Sequence, residues 1–192
     1  FKYIKDFMPV NIIPIELKDF DLSQNGYSDF YGNKISKCNG KISHVIFRGC
    51  GNTINLKGNV YGLENLSIDV TSNSYIEINH DTCFSKPCTF EIKNTGGKAK
   101  IVIGNQCIFM GSLFRLYEAK RETQVIIGDK CSFGDNLHIH SNFGKRIIIG
   151  DDCQISSDVF FLCGDGHTIF DVESKKPSNI NTKDRKGLIF LG

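Results

Sequence analysis

The sequence predicts an all-β solenoid, a coil of short parallel strands in which each turn stacks on the one before it. Apolar residues recur at intervals of six residues in groups of three, as in Ile127, Phe133 and Ile139. Neither the period of an α-helix nor the two-residue alternation of an ordinary strand gives this spacing. A coil with three flat sides, each contributing one inward residue, does give it. We therefore expect function to lie on the outer surface of the coil.

The six-residue repeat predicts three columns of buried side chains. The predicted columns are Ile54, Ile78, Ile103, Ile127 and Ile149; Val60, Phe84, Phe109, Phe133 and Ile155; and Leu66, Phe90, Ile139 and Phe161. Arg115 falls where an apolar residue is expected, so this side should be shifted by one residue, with Phe114 or Leu116 inward. The pairs Gly104-Asn105 and Gly128-Asp129 are predicted corners, because Gly and Asn tolerate left-handed backbone angles.

The chain divides into a cap and a coil. Residues 1–41 show no clear six-residue phase and are expected to form a small N-terminal cap, with short strands at 1–4 and 11–15. Residues 42–192 are expected to form the solenoid, with a protruding loop at 163–187. The last residues, Leu-Ile-Phe-Leu-Gly, look like the opening of earlier coils. We therefore expect the C-terminal coils of the complete protein to be missing from this sequence.

Composition narrows the function classes. A net charge of +2 without a basic stripe argues against nucleic acid as a partner. The eight cysteines form no pattern of two C-x-x-C pairs, and Cys107, Cys131 and Cys153 occupy equivalent places where a small buried residue is expected. Reduced thiols indicate a reducing compartment. No signal peptide or transmembrane segment is visible, so we expect a cytoplasmic location.

The predicted loop carries the main candidate for chemistry. His167 follows Phe161 by six residues and stands in the run Gly-Asp-Gly-His at 164–167. A neutral imidazole can accept a proton from a hydroxyl near physiological pH. The alternative is a loop histidine with no role. Asp165 and Asp171 are either turn residues or groups that orient the imidazole and hold a substrate hydroxyl.

A second candidate pair lies on an earlier coil. His138 and His140 flank the inward Ile139, so both should point outward on one strand face. Three interpretations stay open: part of a substrate groove, a metal site, or a solvated surface pair. A zinc site needs three or four ligands, so no metal is expected. His44 and His80 are expected to be plain surface residues.

One resemblance adds to this interpretation. The six-residue phase, the repeated I-x-I-G-(D/N)-x-C opening and the segment Gly-Asp-Gly-His-Thr-Ile-Phe-Asp at 164–171 resemble the hexapeptide-repeat acyltransferases. The most similar branch comprises bacterial O-acetyltransferases of capsule or lipopolysaccharide glycans. The resemblance implies a left-handed parallel β-helix, a homotrimer, acetyl-CoA as co-substrate and His167 as catalytic base. Handedness rests on the resemblance alone, because parallel crossovers are normally right-handed.

Two other functions remain open at this stage. The chain could be a non-catalytic scaffold or carbohydrate-binding solenoid in which the loop at 163–187 has no catalytic role. It could also be a right-handed β-helix acting on polysaccharide, but that class does not keep a six-residue phase and usually shows paired acidic residues. A nucleophilic role for Cys163 is not expected, since it has no evident basic partner apart from His167. The family's later coils hold a Trp-Ile-Gly motif, and this chain has no Trp.

Overall fold

A computed structural model of the protein describes residues 13–94, 98–118, 122–142, 144–163, 172–173 and 188–191. The regular elements in these ranges are β-strands and one 3-10 helix, Leu63–Asn65. The strands are β1 Ile15–Asp21, β2 Tyr27–Ser28, β3 Lys34–Ile35, β4 Lys41–Phe47, β5 Thr53–Leu56, β6 Val60–Tyr61, β7 Leu66–Val70, β8 Ser74–Ile78, β9 Thr82–Phe84, β10 Cys88–Asn94, β11 Lys98–Ile103, β12 Ile108–Phe109, β13 Ser112–Glu118, β14 Glu122–Ile127, β15 Ser132–Phe133, β16 Leu137–Asn142, β17 Arg146–Ile149, β18 Gln154–Ile155, β19 Phe160–Cys163 and β20 Leu188–Leu191.

The strands form three sheets along the coil. Sheet A has the order β1-β4-β7-β10-β13-β16-β19, sheet B the order β2-β3-β5-β8-β11-β14-β17-β20, and sheet C the order β18-β15-β12-β9-β6. From β4 onward every neighbouring pair in sheet A is parallel, as each coil adds one strand to each sheet. Antiparallel pairing occurs where β1 meets β4 and β2 meets β3. The predicted all-β parallel solenoid is confirmed.

The core is a stack of aromatic and aliphatic side chains inside the three sheets. Phe84, Phe109 and Phe133 lie in parallel stacks, with ring centroids 5.3 and 4.7 Å apart. The irregularity at Arg115 resolves as predicted, since Phe114 and Leu116 are both fully buried. Arg115 itself points outward from sheet A, with 41% of its side chain exposed.

The predicted columns are wrong in the first coil by two residues. The observed partners there are Leu56 with Ile78, Ile54 with Ile76, Val60 with Thr82, and Ile68 with Phe90. Each strand buries residues at i and i+2, so a six-residue repeat fits either of two phases when it is read from sequence. The main-chain pairing between strands decides between these two phases. The positions aligned with the predicted columns of the next coil are Leu56, Gly62 and Ile68, in place of Ile54, Val60 and Leu66.

A ladder of small side chains ties neighbouring coils together at one corner. In each rung a buried Thr or Cys donates to the carbonyl of a glycine in the following coil. The rungs are Thr82 Oγ1 to Gly104 O at 2.9 Å, Cys107 Sγ to Gly128 O at 3.1 Å and Cys131 Sγ to Gly150 O at 3.0 Å. All eight cysteines are free thiols. Burial raises the pKa of Cys107 to about 12, so this thiol stays protonated.

The glycines of the repeat serve close approach rather than left-handed corners, which corrects the prediction. The left-handed angles occur two residues later, at Gln106 (φ 57°), Lys130 (φ 55°) and Asp152 (φ 55°). A Cβ added at Gly104 would lie 2.4 Å from the carbonyl oxygen of Gly128. Glycine is therefore required because the next coil passes against its α-carbon.

Three predictions fall outside the described residues, namely the strand at 1–4, most of the strand at 11–15 and most of the loop at 163–187. Ile15 opens β1, and Cys163 closes β19. Over the described ranges, no helix has the length and apolar character that crossing a bilayer would require.

We expect Gly104→Ala to destabilise the protein by about 3 kcal/mol, because the added methyl must displace the backbone of the next coil. Gly32→Ala is the matched control, since its Cβ would meet only the α-carbon of Gly51 at 4.0 Å. Its left-handed φ of 78° should cost about 1 kcal/mol. Denaturant unfolding of both variants measures the difference, and equal losses would contradict the close-approach explanation.

Candidate functional site

The outward face of sheet A brings the two predicted histidines together. His138 and His140 lie on β16 on either side of Ile139, which is fully buried. Both imidazoles project from the sheet, and their ring centroids are 5.9 Å apart. The predicted outward orientation of this pair is therefore confirmed.

A third ring, which the sequence interpretation missed, completes an aromatic cluster. Phe160 on β19 is the register partner of His138. Its ring lies 5.7 Å from that of His138 and 4.8 Å from that of His140, and 54% of the residue remains exposed. The sequence signal was the adjacent pair Phe160-Phe161: in a strand, one of two neighbouring aromatic residues must face outward.

Hydrogen bonds orient His138. Its Nε2 lies 3.0 Å from Asn136 Oδ1, and Asn136 Nδ2 donates to Asp158 Oδ1 at 2.8 Å. The carboxylate accepts only, so the amide nitrogen of Asn136 must face it and the amide oxygen must face the ring. His138 therefore donates from Nε2, and in the neutral ring Nδ1 is left as an acceptor.

His140 presents a polar atom without a partner. Its Nε2 is buried and has no hydrogen bond to any described residue. Burial lowers the pKa of His140, and the nearby Arg115 and His138 lower it further, while Glu91 opposes them. The ring is therefore neutral at physiological pH, and Nε2 can either donate or accept a hydrogen bond.

A charged row lies beside the aromatic cluster. Arg115 is the register partner of both His140 and Glu91. Its Nε donates to Glu91 Oε2 at 2.7 Å, and Lys93 Nζ lies 2.5 Å from Glu91 Oε1. Burial alone would raise the pKa of Glu91, but Lys93 and Arg115 bring it below its usual range. Asp69, the register partner of Glu91 on the preceding strand, pairs with Arg48, so the carboxylates of this row are matched by cations.

A shallow groove of about 380 Å³ opens at the corner between sheets C and A. Ser112, Leu113, Asn136 and His138 are among the residues that line it. Ser112 is buried, and its hydroxyl lies beside the thiol of Cys88. A salt bridge between Lys86 and Asp135 spans the far edge of the groove.

The principal predicted residues, Asp165, His167 and Asp171, lie outside the described residues. The strand that leads to them is nevertheless defined. Cys163, the last residue of β19, is the register partner of Ser141, next to His140. The chain therefore leaves sheet A beside the aromatic cluster.

Other sequence candidates take structural positions. His44 Nε2 pairs with Glu16 Oε1 at 2.7 Å, and His80 lies beside Asp81 with 55% of its side chain exposed. Cys163 is 5% exposed, and burial raises the pKa of its thiol. A buried, protonated thiol is a poor nucleophile. Among the residues with described positions, no group of three or more His, Cys, Asp or Glu side chains is placed to hold a metal ion.

Comparison with known proteins gives one partial match. A polysialic acid O-acetyltransferase of Escherichia coli O1:K1 / APEC is 38% identical over 61 residues, which are 32% of this chain and 20% of that protein. The match thus spans about a fifth of the length of that relative. No protein-family model matches the chain. No solved structure matches it either.

The partial match and the β-solenoid together fit a hexapeptide-repeat acetyltransferase. The matched relative modifies a polysaccharide, as its name states. The fold agrees with the sequence resemblance to that class, since parallel coils with three strands per turn are observed directly.

We expect the ring of His140 to titrate below pH 6.5, because its pKa is lowered by burial and by Arg115. The unfolded chain then takes up the proton more readily than the folded one. Stability carried by the neutral ring is present above pH 6.5 and is lost as the pH falls through the lowered pKa. Histidine ring resonances, assigned with a His140→Gln variant, measure the midpoint, and a value at or above 6.5 would contradict the burial of this ring.

Proposed function

We propose that this chain belongs to an enzyme that transfers an acetyl group from acetyl-CoA to a hydroxyl of a bacterial surface polysaccharide. The observation that carries the proposal is the match to a polysialic acid O-acetyltransferase on a parallel β-solenoid. The proposal includes a homotrimer and a capsule-type glycan as acceptor, as the sequence resemblance implies. Eight unpaired cysteines support a cytoplasmic, reducing location.

The proposed base is His167. Its neutral imidazole accepts the proton of a sugar hydroxyl while that oxygen attacks the thioester carbonyl carbon of acetyl-CoA. The tetrahedral intermediate then collapses, the carbon–sulfur bond breaks, and the imidazolium returns the proton to the leaving thiolate of CoA. No acyl-enzyme is needed, which agrees with the burial of Cys163. Asp165 and Asp171 are proposed to orient the imidazole or to hold acceptor hydroxyls.

The described face of sheet A is proposed to hold the acceptor. The imidazole of His140 lies on this face in contact with Phe160, with the two ring centroids 4.8 Å apart. His138 offers Nδ1 as an acceptor, because its Nε2 is engaged by Asn136. Imidazole and amide groups are hydrogen-bonding partners of the kind that sugar hydroxyls match. The site lies next to the strand end that leads toward His167.

The direct test uses the full-length protein with acetyl-CoA and polysialic acid, read by the mass increase of the acceptor. His167→Ala is expected to reduce the transfer rate by about 10² to 10⁴, the usual contribution of a general base. His80→Ala is the matched control and should leave the rate unchanged, because His80 is an exposed residue on an earlier coil.

Equal rates in the parent and His167→Ala would remove this residue from the mechanism. If the parent transfers no acetyl group to a broad glycan panel and does not bind acetyl-CoA, the protein is a non-catalytic or carbohydrate-binding solenoid instead.

A further inference from the structure

Phe160 is a large apolar side chain in an unusual place. Most aromatic rings of the coil point into the core, as the stack of Phe84, Phe109 and Phe133 does. Phe160 instead stands outward on sheet A, half exposed, in contact with two imidazoles. Leu162, two residues along the same strand, is 49% exposed. An exposed apolar surface of this kind, bordered by polar groups, indicates a binding site.

The groups around Phe160 favour a sugar as its occupant. Asn136, His138 and Asp158 are linked in one hydrogen-bonded chain beside the ring, and the imidazole of His140 also contacts the ring. A pyranose ring has one apolar face of C–H groups and a rim of hydroxyls. An aromatic platform with a surrounding set of donors and acceptors matches both features.

The groove at the corner of sheets C and A extends the same surface. His138 both lines the groove and contacts Phe160. Phe160 lies on β19 and Ser112 on β13, and β16 lies between these two strands in sheet A. Two inter-strand steps of ~4.8 Å give a track of about 10 Å. This length exceeds one sugar ring, and Asn136 and His138 supply polar groups along it.

We propose that the acceptor is a polymer, bound along this track with one sugar stacked on Phe160 and a neighbouring sugar in the groove lined by Ser112, Asn136 and His138. This inference rests on the proposed function and adds to it a residue that determines acceptor binding. The partial match to a polysialic acid O-acetyltransferase makes sialic acid oligomers the probes of choice.

A Trp introduced at position 160 gives a direct binding test, because these 192 residues contain no Trp. Phe160→Trp keeps an aromatic platform, and the emission of the variant after subtraction of the parent's emission reports on the proposed site. Phe190→Trp is the matched control: Phe190 is 65% exposed, but it lies on β20 in sheet B. We expect sialic acid oligomers to change the emission of Phe160→Trp and to leave that of Phe190→Trp unchanged.

The polymer claim adds a length dependence. A sialic acid hexamer is expected to bind Phe160→Trp at least about tenfold more tightly than the monomer, because only the oligomer reaches both parts of the track. Equal affinities for the two would overturn the polymer claim. A neutral glucose oligomer of equal length, expected to bind more weakly, tests whether the carboxylates of the acceptor contribute to binding.

Kinetics give the second readout. Phe160→Ala is expected to raise the KM for the glycan by about 3- to 10-fold, the size of one aromatic stacking contact, and to leave the KM for acetyl-CoA unchanged. Phe190→Ala should change neither. Because Phe160 is half exposed, its replacement should preserve the fold, which thermal unfolding of each variant checks.

The outcomes separate this inference from the proposed function. If glycans bind at Phe160→Trp but the parent protein transfers no acetyl group, Phe160 is a sugar-binding residue and the proposed acetyltransferase function is wrong. If Phe160→Ala leaves acetyl transfer and its KM for the glycan unchanged, the proposed acetyltransferase function stands, but the proposed role of Phe160 in binding the acceptor is wrong. Emission from Phe160→Trp that is shielded without glycan, or that depends on protein concentration, would show that another segment or a second copy covers the ring, and would overturn the proposal.

Discussion

Parallel hydrogen bonding between successive coils fixes the height and direction of every side chain in this protein. Each strand pairs residue by residue with its equivalent in the next coil, so a side chain that points outward has outward neighbours above and below it. Side-chain ladders reinforce this register. Thr82, Cys107 and Cys131 each donate to a glycine carbonyl of the next coil. The glycines themselves leave room for that coil, because a Cβ at Gly104 would collide with its backbone.

The same register assembles the candidate site. His138 and His140 are adjacent because they flank one buried residue, and Phe160 joins them because the next coil places it opposite His138. Arg115 and Glu91 stand in line with His140 for the same reason. Chemistry on a solenoid therefore arises from rows that run across coils, whose members are far apart in sequence. The site lies beside the end of β19 at Cys163.

Much of this arrangement follows from the sequence. The six-residue repeat predicts the all-β solenoid. The break at Arg115 predicts that Phe114 or Leu116 faces inward, and the structure buries both. The repeat does not fix the phase of the first coil, because strands bury alternate residues and two phases satisfy it equally. The role of Gly104 was also missed, since backbone proximity between coils has no local sequence signal. The outward position of Phe160 was not predicted, because the six-residue repeat identifies only the inward residue, Phe161. The contact of Phe160 with His138 depends on the pairing of β19 with β16, which the repeat does not show.

The most direct test of the account uses the five histidines of the chain as reporters. Their ring resonances would be followed by NMR as acetyl-CoA and a sialic acid oligomer are added to the full-length protein. The account predicts that the resonances of His138, His140 and His167 shift, while those of His44 and His80 stay in place. Shifts confined to His44 or His80, or no shift at any of the other three, would contradict the placement of the acetyl-transfer site on this face of the coil.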